Sequence, residues 1–126
     1  MDCLCASVAK SNRVYNAMLE YFDVADRDGM LDHFYGDFNK RNFAGFCKVL
    51  AAIAIKEQDE LAKWVFAEAG KVLAGHIIAI EKDMSKALKA QEGGPRIICI
   101  GSVWKSWVLL RDSFKEGTHT ILYRGL

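Results

Sequence analysis

The sequence predicts a mostly α-helical chain with one or two strands, of the kind that forms part of a larger α/β domain. Three observations carry this expectation. Apolar residues recur three and four apart through most of the chain, the period of amphipathic helices. One run, Ile97-Ile98-Cys99-Ile100, is continuously apolar and reads as a buried strand. Gly101-Ser102 then breaks that run, and an amphipathic helix follows with Trp104, Trp107, Val108, Leu110 and Arg111. A lone apolar strand does not make a stable sheet, which needs three or more. The sequence is therefore expected to be an incomplete piece of its domain.

In chain order, residues 1–11 show no period and are expected to fray. Ser11 or Asn12 is positioned to cap a first helix whose face carries Val14, Tyr15, Met18, Leu19 and Phe22. Ala25-Asp26-Arg27-Asp28-Gly29 breaks it, and a short helical segment around Met30 to Tyr35 ends near Gly36. Asn42 is the expected cap of a third helix burying Phe43, Phe46, Val49, Leu50 and Ile53. After Gln58-Asp59 comes the longest helix. Its expected buried stripe is Leu61, Trp64, Val65, Ala69, Val72, Leu73, His76, Ile77 and Ile80, with Lys63, Glu68 and Lys71 opposite. Lys89 to Pro95 is a polar, glycine-rich loop. Gly117 is expected to stop the last helix, and the weak alternation in Thr118 to Tyr123 suggests a second strand.

Composition narrows the function classes. At 126 residues and 52% apolar content, the chain can bury a core and is one domain or part of one. Seventeen basic residues against sixteen acidic ones leave a net charge of +1, without the basic stripe of a nucleic-acid binder. No apolar run is long enough to span a membrane, and the first residues do not form a secretory signal. A cytoplasmic location with reduced thiols is expected for the four cysteines. Cys3 and Cys5 are read as accessible thiols, because two ligands do not close a tetrahedral site, and Cys47 and Cys99 as small core residues.

The candidate ligand site is the Gly101-Ser102 turn. A strand running through it into a helix would present unpaired amides and hydroxyls at a positive helix end, which suits a nucleotide or another anion. Ser106, four residues after Ser102, is expected one helical turn above it on the same face. Trp104 and Trp107 could stack on a base or fill the core, and Trp64 is read as core. Asp32 and Asp37 flank an aromatic turn but have nothing between them to activate, so cap or surface roles are expected. His76 is read as a core histidine, and His33 and His119 as loop residues.

Two motifs agree with this reading. Ile100-Gly101-Ser102-Val103-Trp104-Lys105-Ser106-Trp107 resembles the adenosine-side motif of the N-acetylglucosamine kinases, members of the actin-like, hexokinase-like sugar kinase superfamily. Asp37-Phe38, Lys40 and Phe43-Ala44-Gly45-Phe46-Cys47 resemble that family's segment reaching the nucleotide from the other side. Ala17-Met18, Tyr21-Phe22, Asp26-Arg27, Ala69-Gly70 and Gly75-His76-Ile77 fit in register, so the resemblance runs from about Asn12 to Lys115.

The resemblance implies an α/β fold of two ribonuclease H-like lobes, with residues 12–126 a partial carboxy-terminal lobe. It implies ATP-dependent phosphorylation of N-acetylglucosamine on its 6-hydroxyl, with Ala44, Ser102 and Ser106 contacting the nucleotide. It also implies a homodimer or docking on a full-length kinase subunit. The glycine-rich phosphate loop, the aspartate base, the sugar-reading residues and the Gly-Gly-Ala-Ser-Leu-Gly segment of the family are not in this sequence. Phosphoryl transfer depends on positioning and charge stabilisation, so no catalytic residue is assigned and the chain is expected to be inactive alone. The expectation from another class is a non-catalytic interaction module, because a lobe without its sheet neighbours exposes apolar edges.

Overall fold

The computed structural model describes residues 12–122, and they are mostly helical. They fall into two compact units that divide between Lys63 and Trp64. The expectations for residues 1–11, among them the Ser11 cap and the Cys3 and Cys5 thiols, lie outside the described residues, as does Tyr123.

The first unit begins with helix α1, Asn12–Phe22, which buries Ala17 and Phe22. It ends at Asp23, whose φ of 54° is the left-handed conformation that closes helices. The break at Ala25–Gly29 is an Asx turn, with the Gly29 N–H donating to Asp26 Oδ1 at 3.0 Å. Asp32–Gly36 then forms a π-helical turn. Helix α2, Lys40–Ala52, is capped by Asn39, whose side chain accepts the Asn42 N–H at 3.1 Å. Asn42, the cap expected from the sequence, is thus inside the first turn and supplies the capped amide. Helix α2 passes directly into a second π-helical turn, Ile53–Glu57, which buries Ile53 and Ala54. Gln58, at φ 56°, ends that turn, and Asp59 Oδ1 caps the next helix by accepting the Ala62 N–H at 2.9 Å.

Aromatic packing ties these elements together. The Phe22 ring lies 5.0 Å from Tyr21 and Phe43, 5.6 Å from Phe46 and 5.2 Å from His33. His33, expected as a loop residue, is half-buried, with Nε2 3.1 Å from the carbonyl of Phe22 at the end of α1. Arg13 donates through Nε and Nη2 to both carboxylate oxygens of Glu57, at 2.7 and 2.8 Å. That hydrogen bond and the guanidinium charge hold the Glu57 carboxyl below the usual carboxylate range.

Helix α3, Glu60–Glu81, begins in the first unit and supplies much of the second. A short helix α4, Lys86–Lys89, is capped by Ser85, whose Oγ accepts the Leu88 N–H at 3.2 Å. Gly93 and Gly94 turn the following loop at φ 76° and 77°. A 3₁₀ turn, Ser102–Ser106, then leads into helix α5, Trp107–Leu122.

Helices α3 and α5 meet through small residues. A Cβ added at Gly70 would lie 2.6 Å from the Leu110 carbonyl oxygen, 3.1 Å from Ser113 Cβ and 3.2 Å from the Phe114 amide nitrogen. A Cβ added at Gly117 would lie 2.6 Å from that of Ala74. Within the second unit the buried residues are Phe66, Gly70 and Ala74 on α3 and Leu110, Phe114 and Thr118 on α5. Both series step by four, the spacing of one helical ridge. Buried Thr118 satisfies its hydroxyl by donating to the Phe114 carbonyl at 2.9 Å.

There is no strand among the described residues. Residues 95–100 have no regular structure, and Ile98 and Ile100 are each 83% exposed. The apolar run has no paired neighbour, and a run without a neighbour cannot form a sheet. Cys99 is accordingly exposed rather than core. Gly117 does not stop the last helix, since packing against Ala74 outweighs glycine's weak helix preference, and 118–122 continue α5. The buried stripe of α3 is also rotated from its expected phase, leaving Trp64, Val72, His76 and Ile80 exposed.

Candidate functional site

The three residues proposed to touch a nucleotide belong to both units. Ala44 lies in the first and Ser102 and Ser106 in the second.

In the second unit, Gly101 has φ 112° and ψ 168°, a conformation essentially reserved for glycine. No atom lies within 4 Å of where its Cβ would be, so the backbone angle alone calls for glycine here. Gly101 joins residues 95–100, which have no regular structure, to the 3₁₀ turn. The turn continues without a break into α5, with the Trp107 N–H donating to the Trp104 carbonyl.

This geometry changes the relation between the serines. On an α-helix they would stack, but a 3₁₀ helix has about three residues per turn, which sets residues four apart roughly 120° away from each other. Ser102 is exposed and Ser106 is half-buried, so the two hydroxyls do not share a face. Trp104 and Trp107 are also half-buried, with ring centroids 5.5 and 5.6 Å from Phe114, both edge-on. Their rings therefore serve the core of this unit, and they fasten the 3₁₀ turn to α5. Lys105 stays exposed beside them.

In the first unit, Ala44 is exposed in the first half of α2. Its neighbours on the chain are held by Tyr21, a residue the sequence reading placed in a motif without assigning it a role. The Tyr21 hydroxyl donates to the Asn42 carbonyl at 3.0 Å, and a Cβ on Gly45 would run into that same hydroxyl. The available signal was the joint presence of Tyr21-Phe22 and Phe43-Ala44-Gly45-Phe46 in one resemblance.

Asp32 and Asp37 stand at the start and just past the end of the first π-helical turn. Both are exposed, and the Asp37 N–H donates to the Asp32 carbonyl at 3.2 Å. The contact joins main-chain groups, and both side chains stay on the surface. Among the described residues no group of three or more His, Cys, Asp or Glu side chains could hold a metal ion. Burial pushes the Cys47 thiol up, which keeps it protonated and a poor nucleophile. An open hollow of about 440 Å³ is lined by Tyr15, Asp26, Arg27 and Asp28, and one of about 400 Å³ by Gln91, Glu92 and Arg96. Neither is lined by Ala44, Ser102 or Ser106. Among the described residues no helix is long and apolar enough to cross a membrane.

No family model matches the chain.

Proposed function

We propose that the chain is a partial carboxy-terminal lobe of a cytoplasmic sugar kinase similar to the N-acetylglucosamine kinases, α/β in its complete form. In this reading Ala44, Ser102 and Ser106 contribute part of an ATP site. Phosphorylation of N-acetylglucosamine then depends on a phosphate loop, a base and sugar-binding groups supplied from outside these residues. The observation that supports the reading is the joint at Gly101. An apolar segment without regular structure reaches a backbone conformation that only glycine adopts easily, and a helical turn carrying an exposed serine follows at once. Calorimetric titration of the purified chain with ATP tests it, beside the double variant Ser102→Ala/Ser106→Ala. Sub-millimolar binding that the double variant weakens is the expected result. Equal affinity of the two proteins would remove both serines from the site.

A second reading is favoured by the exposure of Ile98 and Ile100, 83% each. Exposed apolar residues suit a non-catalytic module that docks on a second copy or on a full-length kinase subunit. Size-exclusion chromatography over a range of concentrations tests this, with association expected for the native chain and reduced in Ile98→Ser/Ile100→Ser. A monomer at every concentration would argue against self-docking.

A further inference from the structure

We propose that Tyr21 is a positioning residue for the nucleotide contact of Ala44, an inference that rests on the nucleotide reading above. Alanine's methyl group has no rotamers with which to find a ligand. Where Ala44 meets a nucleotide is therefore decided by the backbone of α2 around it. That backbone is fixed by groups outside the helix. Asn39 takes the amide of Asn42 on its side chain, and its carbonyl accepts the Phe43 N–H at 3.2 Å.

Tyr21 contributes the contact from α1. Its ring is held 5.0 Å from Phe22 and 5.4 Å from Phe46. Its hydroxyl donates to Asn42, two residues before Ala44, and lies over Gly45, the residue just after it. A carbonyl has a second lone pair, so Asn42 can accept this bond in addition to its helical one. The same contact gives a reason for glycine at position 45, where a side chain would displace the hydroxyl. Tyr21 and Gly45 thus form one device that sets the height of Ala44 relative to α1.

The test is ATP calorimetry and thermal melting on the full chain and on Tyr21→Phe, Gly45→Ala and the double variant. Tyr21→Phe keeps the ring and its packing and removes only the donor. The bond is present with and without nucleotide, so only the displacement of Ala44 that follows its loss reaches the affinity, and ATP binding should weaken by up to about tenfold. Gly45→Ala should weaken ATP binding as well, and the double variant no further than the weaker single, because both act through one contact. Should Tyr21→Phe fail to fold, Gly45→Ala carries the same comparison. A Tyr21→Phe protein that melts earlier but binds ATP like the native chain would reduce Tyr21 to a structural role and overturn the inference. No ATP binding by the native chain would instead refute the nucleotide reading, and the positioning role would fall with it.

Discussion

Gly70 and Gly75 lie on the same helix, yet alanine should act on stability with opposite sign at the two positions. Within a helix, glycine is less favourable than alanine by about 0.8–1.0 kcal/mol, so each substitution starts with that gain. At Gly75 no atom lies within 4 Å of the added Cβ, and the residue is exposed. Gly75→Ala should therefore stabilise by about 1 kcal/mol. At Gly70 the added Cβ falls 2.6 Å from the Leu110 carbonyl oxygen. An ordinary contact begins near 3.4 Å, so α5 must withdraw by most of an ångström. The obstacles include a backbone oxygen and a backbone nitrogen, which cannot rotate away as a side-chain tip can. Overpacking of this kind costs about 1–3 kcal/mol. With three close contacts the upper half of that range applies, and Gly70→Ala should be net destabilising by roughly 1–2 kcal/mol. The two variants should then differ by about 2–3 kcal/mol, or about ten degrees or more in Tm for a small domain. Urea unfolding followed by far-UV circular dichroism gives both values. If Gly70→Ala stabilises as much as Gly75→Ala, α3 and α5 do not meet at this face and the packing described above is wrong.

Three other perturbations bear on local structure. Gly101→Ala and Gly101→Val should each lower stability by about 1–3 kcal/mol, because the cause is the backbone angle and not space; unchanged melting in both would refute the turn. Asn39→Ala removes the cap of α2 and should cost about 1 kcal/mol in a urea melt, with Asn39→Asp nearly neutral. The carboxyl of Glu57 is held low by Arg13, so the folded chain binds this proton less readily than the unfolded one. Its contribution is complete above the ordinary glutamate range, near pH ~4.3, and fades as acid carries the pH down through the depressed value. The stability gap between the native chain and Glu57→Gln should shrink on acidification across that window. A gap that does not change with pH would exclude the pair as its source.

The helices were legible in the sequence, and which of their faces are buried was legible only in part. On α1 Phe22 is buried and Val14, Met18 and Leu19 are half-buried, as their spacing indicates, whereas Tyr15 is exposed. On α2 Phe43, Phe46, Val49 and Leu50 are only half-buried, and Ile53 is buried in the π-helical turn that follows. Helix α3 is apolar over much of its circumference, so hydropathy alone does not define its phase. The buried line is set by Gly70 and Ala74, where a second helix can approach closely, and smallness carries no weight in a search for large apolar residues. Ile97–Ile100 has the composition of a strand, but composition does not supply the neighbour a strand requires. Of the candidate site, the turn at Gly101 was legible from its Gly-Ser punctuation. The 3₁₀ winding that separates Ser102 from Ser106 was not, because α and 3₁₀ turns favour the same residues over so short a span. Tyr21 went unassigned because its contact to Asn42 spans 21 residues of sequence, beyond the reach of local periodicity.

The contact between α3 and α5 is made where Gly70 and Gly117 offer bare backbone and Ala74 a single methyl group. These three residues have no rotamers to surrender when the helices come together, so the closest point of the joint costs little side-chain entropy. The crossing point itself depends on closeness of fit, while Phe66, Leu110 and Phe114 supply the buried apolar side chains around it. The joint should behave as a stiff register between the helices, tolerant of changes at its rim and intolerant of a single added carbon at its centre.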